Sequence, residues 1–355
     1  EMDWPVMVDS LNLYSIDVVP VTYAIDESGI VRFVNPTREE FATFVATQYS
    51  PAQEKPPSTL RPDVAAVETR VRRSPSAANW LALGEALFLW GGEPRLERAI
   101  DAFERAVRLQ PESGPAHFRL GTALRQRYER TGRRPDDFRR AAEHWTRALE
   151  IDPNQYIWRR RLQQYGPRLD KPYPFYDWVN EARRDIRARG ESPVPLGVEP
   201  LGTEIAVPAK SFEAAGSGEE PDPRGRIVRD RGKLVLAEAA AVPPRIGPGK
   251  TTRVHLSFRP NANMKAHWNN EVDPLRVWVS TPEGWAQDKT ALVVPNPRET
   301  LSTEPRELQF ELRGPLRAVG PVTVPLYALY YVCEDVDGTC LYRRQDLSVT
   351  IGVRK

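Results

Sequence analysis

Thiols, histidines and long apolar runs are all scarce in this chain. Among 355 residues there are two cysteines and four histidines. No apolar run approaches the roughly 18–20 residues that a membrane-spanning helix needs. The formal net charge of +2 gives no general attraction to nucleic acid or to a membrane surface. The composition therefore predicts neither a nucleic-acid partner nor a transmembrane segment.

Catalytic and metal-binding signatures are also absent from the sequence. Ser-His-Asp, Walker, Rossmann and metalloprotease spacings do not occur, and these are the arrangements by which such chemistries are usually found. His267, in the stretch HWNNE, has no second histidine or cysteine at ligand spacing, so a polar turn is favoured there over a metal site. We predict no metal and no cofactor.

The two cysteines, Cys333 and Cys340, lie close together in the stretch YYVCEDVDGTCLYRR. One local disulfide in an oxidising compartment explains such a pair, and a reduced cytosolic pair is the alternative. A disulfide on a tight turn is open to attack by a partner thiolate, while the carboxylates of Asp335 and Asp337 disfavour a thiolate nearby. A structural disulfide closing this loop would add about 2–3 kcal/mol of stability. The residues alone leave both roles open.

Residues 1–49 combine β-branched runs with one helical pattern. VTYAID and IVRFV flank Gly29 and predict a hairpin. Thr37 and Glu40 have capping-box spacing and precede an apolar helix face that begins at Phe41. The predicted order is strand, hairpin and helix.

The stretch YSIDVVPVTYAIDESGIVRFV resembles the carboxyl-terminal half of a thioredoxin-like domain. The resemblance implies that Pro20 occupies the place of that family's cis-proline, beside the active site. The half that carries a Cys-x-x-Cys is absent from residues 1–49, so we do not expect this chain to be catalytic as it stands. Half of a layered fold leaves a sheet edge uncovered, which predicts either a longer parent polypeptide or a partner protein on that edge. A small α+β cap is the alternative.

Residues 50–77 are rich in proline and then weakly helical, which predicts a linker and a lead-in helix. Over residues 78–189 a helical pattern occurs twice, with small residues where helices would cross, aromatic residues between them, and a closing proline, Pro111 or Pro153. This pattern resembles the tetratricopeptide repeat. The resemblance implies two repeats, capping helices, and a groove for protein partners.

Aromatic residues are predicted to supply the contacts with these partners. They lie on the repeat helices and in the stretch KPYPFYDW: Trp80, Trp90, Tyr128, Trp158, Tyr173 and Phe175. The neighbouring residues 157–190 are locally basic, and a solvated helical face explains that charge as well as an acidic partner does.

Residues 190–230 lack a helical period and are predicted to be a linker. Residues 231–355 contain alternating or β-branched runs separated by turns, such as TTRVHLSFRP and VTVPLYALYYVC. Runs of this kind predict a β-sandwich.

This last segment resembles the amino-terminal domain of the DsbD disulfide-reductant family, an immunoglobulin-like sandwich. The resemblance rests on GPGKTTRVHLSF, AHWNNEVDPLRVWVSTPEGW and VPLYALYYVCEDVDGTCLYRRQDLSVTIGV. It implies that Cys333 and Cys340 form a redox pair, and we expect Tyr330, Tyr331 and Tyr342 to shield it. The loop between the cysteines is one residue longer than the family pattern, and LYRR replaces the usual proline.

The predicted fold class is a multidomain α+β protein. It comprises a partial thioredoxin-like α/β piece, α-helical tetratricopeptide repeats and a carboxyl-terminal immunoglobulin-like β-sandwich. The predicted function is that of an extracytoplasmic bacterial protein, periplasmic or secreted, that acts by protein–protein contact, with thiol–disulfide exchange through Cys333 and Cys340 as one use of that contact. The alternative is a non-catalytic scaffold or accessory subunit, in which the repeats dock partners and the disulfide is structural.

Overall fold

A computed structural model shows a mixed α+β multidomain protein. The described residues are 9–13, 21–49, 62–91, 93–130, 132–168, 177–193, 212–214, 219–289, 292–317, 320–335 and 338–354. No helix in these ranges is long and apolar enough to cross a bilayer.

The amino-terminal segment is a two-stranded hairpin followed by one helix. Its elements are β1 (Tyr23–Ile25), β2 (Val31–Val34) and α1 (Arg38–Ala46). Gly29 lies in the turn with a φ of +80°, a conformation that glycine adopts without strain. The capping box is confirmed, because the Thr37 hydroxyl accepts from the Glu40 N–H and the Glu40 carboxylate accepts from the Thr37 N–H. Phe41 is exposed on α1.

The middle of the chain is helical, as the sequence predicts. Its helices are α2 (Val64–Arg73), α3 (Ala77–Trp90), α4 (Leu96–Leu109), α5 (Gly114–Tyr128), α6 (Asp137–Ile151), α7 (Tyr156–Tyr165) and α8 (Asp177–Ala188). Ser76 begins α3 by accepting a hydrogen bond from the Asn79 N–H at 3.3 Å, which satisfies one of the free N–H groups of the first turn. α4 buries one apolar face that includes Ile100 and Phe103.

Gly84 allows α3 to approach α4 closely. A Cβ atom added at Gly84 would lie 2.4 Å from the Phe103 ring, which is itself buried. The predicted small residue at a helix crossing is therefore required by the packing of this pair.

We expect Gly84→Ala to lower the free energy of unfolding by about 1–2 kcal/mol. The new methyl group must displace a packed ring, and that cost exceeds the roughly 1 kcal/mol that alanine gains in helix propensity. Thermal unfolding followed by circular dichroism measures the change. Gly132→Ala is the matched control, because a Cβ atom there meets nothing within 4 Å. Equal losses in the two variants would contradict the close-packing explanation.

The carboxyl-terminal part consists of β-strands. In chain order they are β3 (Glu213–Ala214), β4 (Val235–Val242), β5 (Arg245–Ile246), β6 (Thr251–Pro260), β7 (His267–Asn269), β8 (Leu275–Val279), β9 (Ala286–Gln287), β10 (Leu292–Val294), β11 (Leu301–Ser302), β12 (Arg306–Arg313), β13 (Gly320–Cys333) and β14 (Cys340–Val353). The apolar runs that predict strands are confirmed as β4, β6, β8, β12, β13 and β14.

Two sheets share one hydrophobic core. The five-stranded sheet has the order β3-β9-β12-β6-β4, and the seven-stranded sheet has the order β10-β8-β13-β14-β5, with β7 pairing with β13 and β11. Phe258 and Phe310 from the first sheet meet Trp268 and Tyr330 from the second in this core. Because side chains alternate along a strand, the even-numbered residues of β13 from Val324 face the core and the odd-numbered ones face outward.

The chain divides into two compact units. The described residues of the first lie within Glu1–Ala123, Ala148–Arg160 and Tyr176–Leu201, and those of the second lie within Leu124–Arg147, Arg161–Phe175 and Gly202–Lys355. Helices α5, α6 and α7 contribute residues to both. The second unit therefore joins both sheets to helical residues.

Within the second unit, these helical residues pack on the outer face of the five-stranded sheet around His255. The His255 Nε2 atom is 2.6 Å from the Tyr165 carbonyl oxygen, and its ring meets the Phe138 ring edge to face at 5.0 Å. The Arg133 guanidinium donates to the Ser257 hydroxyl at 3.1 Å. This cluster is called the helix–sheet junction below.

Candidate functional site at the Cys333–Cys340 disulfide

The two cysteines form the last pair of a long hairpin. β13 and β14 are paired throughout their lengths, and the pairing ends with Cys333 opposite Cys340, joined by a disulfide with a Cα–Cα distance of 3.9 Å. The turn needs glycine at position 338, because a Cβ atom there would lie on the Glu334 carbonyl oxygen. The sequence prediction of a local disulfide is thus confirmed.

The two halves of the disulfide differ in exposure. Cys333 is 1% exposed, because β13 has neighbouring strands on both sides at this point: β14 on one and β7 on the other. Cys340 is exposed at the start of β14. Cys340 is therefore the more exposed residue of the pair, and Cys333 is covered.

His267 is the β7 residue in register with Cys333. Residues opposite each other in neighbouring strands place their side chains on one face, about 4.5–5.5 Å apart at Cβ. His267 is buried. The side chains of two residues that follow His267 form hydrogen bonds where β7 ends. The Asn269 side chain accepts from the Glu271 N–H at 3.0 Å, and the Asn270 amide donates to the Glu299 carbonyl at 2.8 Å.

Two of the three tyrosines predicted to shield the disulfide do lie on its face. Tyr331 and Tyr342 are the second register pair from the disulfide, which places them on its face, and their rings stack at 4.5 Å. Burial raises the pKa of the Tyr342 phenol, so this side chain is uncharged at ordinary pH. The third, Tyr330, is an even-numbered residue of β13 and points instead into the core, where it donates to Asp230 at 2.9 Å.

Charge around the turn is more balanced than the sequence indicates. The Asp335 carboxylate lies 3.4 Å from the Lys265 ammonium, and Glu334 lies 3.4 Å from Lys233. Both pairs are exposed and each is worth little in stability. They nevertheless offset the negative charge that would oppose thiolate formation. Asp337 lies outside the described residues.

A polar network covers the same outer face further along the hairpin. The Arg344 guanidinium stacks 3.7 Å from the Tyr327 ring and pairs with Asp222 at 2.9 Å. The Asp222 N–H donates to the Tyr327 hydroxyl at 3.2 Å. Burial raises the pKa of Tyr327 to about 12. Residues 219–230, which have the composition of a linker, thereby fix one edge of the site.

Four of the six predicted partner-binding aromatic residues lie in the described part of the chain. Trp80 and Trp90 are half-buried on α3, and the Arg105 guanidinium lies 4.6 Å over the Trp80 ring. Tyr128 and Trp158 are buried. Their part in partner binding stays a prediction. Pro20, Tyr173 and Phe175 lie outside the described residues.

No metal site accompanies the disulfide in the part of the chain that the structure describes. A group of three or more histidine, cysteine, aspartate or glutamate side chains that could hold an ion does not occur there.

Comparison with known proteins gives partial matches only. No family model and no curated protein matches the chain. Among solved structures, a MamA RS-1 ArsTM double mutant is 31% identical over 26% of this chain and 47% of that chain, with a TM-score of 0.22. Spo0M, a sporulation control protein from Bacillus subtilis, is 12% identical over 34% of this chain and 50% of that chain, with a TM-score of 0.21.

A CARDB domain from Pyrococcus furiosus is 13% identical over 34% of this chain and 94% of that chain, with a TM-score of 0.20. The chain spans about half the length of the MamA double mutant. These similarities are too low to assign a family or a function.

Proposed function

We propose that this protein is an extracytoplasmic thiol–disulfide exchange protein, in which the Cys333–Cys340 disulfide accepts electrons from a partner protein. The observation that carries the proposal is the difference in exposure, with Cys340 exposed and Cys333 1% exposed. An exchangeable disulfide needs one sulfur open to in-line attack and one that leaves. The resemblance to the DsbD amino-terminal domain supports the same assignment.

The exchange step balances without a cofactor. A partner thiolate attacks the Cys340 sulfur, the Cys333–Cys340 bond breaks, and its electron pair leaves on the Cys333 sulfur, which takes a proton from solvent. A second thiol of the partner then attacks the mixed disulfide and releases Cys340 as a thiol. The partner dithiol is oxidised by two electrons and the cysteine pair is reduced by two.

Contact with the partner supplies the specificity of the proposed reaction. The site is an outer sheet surface with a stacked tyrosine pair beside the disulfide and exposed ion pairs around the turn. Aromatic surface next to a polar rim is the composition that protein interfaces favour. The helical part would then serve as a second docking surface, as the repeat resemblance implies.

A structural disulfide is the second candidate, and the burial of Cys333 favours it. A cystine with one covered sulfur at the end of a long hairpin adds stability by restricting the unfolded chain, by about 2–3 kcal/mol for a loop of this size. In that case the protein would be a non-catalytic scaffold.

The two candidates predict different products when the folded protein meets a small thiol. Under exchange, glutathione should form its mixed disulfide predominantly at Cys340, because Cys333 is covered. Peptide mass spectrometry after acid quenching locates the adduct. The matched control is the urea-unfolded protein, in which both sulfurs are open and adducts should form at both. Absence of any adduct until the protein unfolds would favour the structural role.

A further inference from the structure

His267 lies beside the covered half of the disulfide. It is opposite Cys333 in the antiparallel pairing of β7 with β13, and it is 9% exposed. The neighbouring pair of this ladder, Trp268 and Val332, faces the core of the sandwich. Because side chains alternate along a strand, His267 and Cys333 share the outer face of the sheet. Opposite residues on one face have Cβ atoms about 4.5–5.5 Å apart, which brings an imidazole ring within reach of the Cys333 sulfur.

The proposed exchange places a negative charge on the Cys333 sulfur when the disulfide breaks. Cys333 is 1% exposed, so water does not surround the sulfur and stabilise that charge. A buried charge without a partner is costly, and burial in apolar surroundings raises the pKa of a thiol. A proton donor beside the sulfur removes this cost, and a better stabilised leaving sulfur departs faster.

The His267 imidazole is suited to this task. Histidine takes up and releases a proton near neutral pH more readily than other side chains do. Within the described part of the chain, the His267 ring makes no hydrogen bond. The ring is therefore not committed to another group of the described fold, and its nearest neighbour in register is the cysteine that leaves.

The other ionisable groups near the disulfide are less suited. Burial raises the pKa of the Tyr342 phenol, so this side chain gives up its proton less readily than an ordinary tyrosine. The ammonium groups of Lys265 and Lys233 are paired with carboxylates at the turn, and both side chains are more than half exposed. Water and salt screen such exposed charges, so they act weakly on a covered sulfur.

We propose that His267 delivers the proton that the Cys333 sulfur takes from solvent during exchange. This inference rests on the proposed exchange function. As the partner thiolate bonds to the Cys340 sulfur, the Cys333–Cys340 bond breaks and its electron pair moves to the Cys333 sulfur. The His267 imidazolium gives its ring proton to that sulfur, which becomes a thiol, and the neutral imidazole then takes a proton from solvent. No oxidant or reductant besides the partner thiol takes part.

The test measures how fast dithiothreitol reduces the disulfide of the folded, full chain, with the new thiols trapped by alkylation and counted by mass. His267→Gln keeps a polar side chain that cannot give up a proton at neutral pH, so its reduction should be at least about tenfold slower than that of the wild type. A purely structural His267 predicts the opposite sign, because losing its cover would open Cys333 and speed reduction. An unchanged or faster rate would overturn the proposal.

His117→Gln is the matched control for loss of a buried histidine. His117 is 7% exposed and lies on α5, far in sequence from both cysteines, so this variant should be reduced at the wild-type rate. Equal slowing of the two histidine variants would mean that the effect does not arise at the disulfide, and the relay would be wrong.

Added imidazole separates proton delivery from a packing role. In His267→Gly, imidazole should restore part of the lost rate, whereas pyrazole, which has a similar shape but is not protonated at neutral pH, should not. The wild type in the same solutions corrects for any action of these compounds on dithiothreitol itself. Equal effects of the two compounds on His267→Gly would contradict proton delivery.

The wild type distinguishes failure of this inference from failure of the exchange proposal. If the folded wild type is not reduced, exchange itself is wrong and the role of His267 is overturned with it. If the folded wild type is reduced and forms its glutathione adduct at Cys340, while His267→Gln keeps the wild-type rate, the exchange proposal stands and only the relay is overturned.

Discussion

Asp137→Ala is expected to lower the free energy of unfolding by about 3–5 kcal/mol, because it breaks a buried ion pair. Asp137 is 0% exposed and Arg127 is 3% exposed. The carboxylate accepts from Arg127 Nε at 2.9 Å and Nη2 at 2.6 Å, and from the Arg134 N–H at 2.8 Å. Removing it leaves a buried guanidinium without its counter-charge, and that loss exceeds what the pair itself adds to stability.

Urea unfolding of the variant measures this loss. Glu143→Ala is the matched control, because Glu143 lies on the same helix and pairs with Arg139 at 2.6 Å but both side chains are well exposed. An exposed pair of this kind contributes less than about 1 kcal/mol. If the two variants lost the same stability, the buried Arg127–Asp137 pair would not stabilise the α5–α6 turn more than an exposed ion pair does.

Acid should weaken the helix–sheet junction well before it protonates most carboxylates. Burial lowers the pKa of His255 from its ordinary 6.5 to about 4, and the positive charges of Arg253 and Arg125 act in the same direction. Folding therefore favours neutral His255, whose ring faces the Tyr165 carbonyl and the Phe138 ring.

The sign of this effect follows from which state binds the proton. Below pH 6.5 the unfolded chain protonates the histidine while the folded protein does not, so stability is full above about 6.5 and falls as the pH drops toward 4. A shift of this size corresponds to at most about 3 kcal/mol. Below pH 4 the contribution levels off.

Unfolding free energies at a series of pH values, for the wild type and for His255→Gln, measure this contribution. Glutamine has an amide N–H that can donate to the Tyr165 carbonyl, but it does not titrate. The difference in slope between the two proteins from pH 6.5 to 4 should be about 1.4 kcal/mol per pH unit or less. Parallel curves would show that His255 is protonated as readily in the folded state as in the unfolded one.

The elements with strong periodicity could be predicted from the sequence. The run TTRVHLSFRP is β6 residue for residue, and the Thr37–Glu40 spacing marks the start of α1. Local rules suffice in these places, because a strand alternates and a helix cap has a fixed spacing. The disulfide hairpin followed for the same reason, since its two cysteines are close in the chain.

The residues that sequence reasoning missed depend on contacts far apart in the chain. His255 lies on the outward face of β6, where alternation predicts solvent, and helical residues cover it instead. Asp222 and Asp230 occur in polar sequence that is typical of a linker, yet both are buried and hydrogen-bonded to the seven-stranded sheet. No spacing rule connects residues that are 90 or more positions apart, so none of these contacts left a local signal.

Tyr330 shows why the candidate site was only partly predictable. A tyrosine near the cysteine in sequence suggests a side chain that covers the disulfide. Side chains alternate between the two faces of the sheet along β13, however, so consecutive tyrosines lie on opposite faces. Tyr331 therefore lies beside the disulfide and Tyr330 lies in the core. The buried state of Cys333 depends in turn on β7, a short strand in a stretch where the sequence predicts a turn.

The reduction potential of the Cys333–Cys340 pair tests the exchange proposal most directly. The folded, full chain is equilibrated in a glutathione or dithiothreitol redox series, and the fraction reduced is read by alkylation and mass. We predict a midpoint above about −250 mV with the fold intact, in the range of exchangeable disulfides. A midpoint below about −300 mV, or reduction only when the protein unfolds, would contradict exchange and make the disulfide structural.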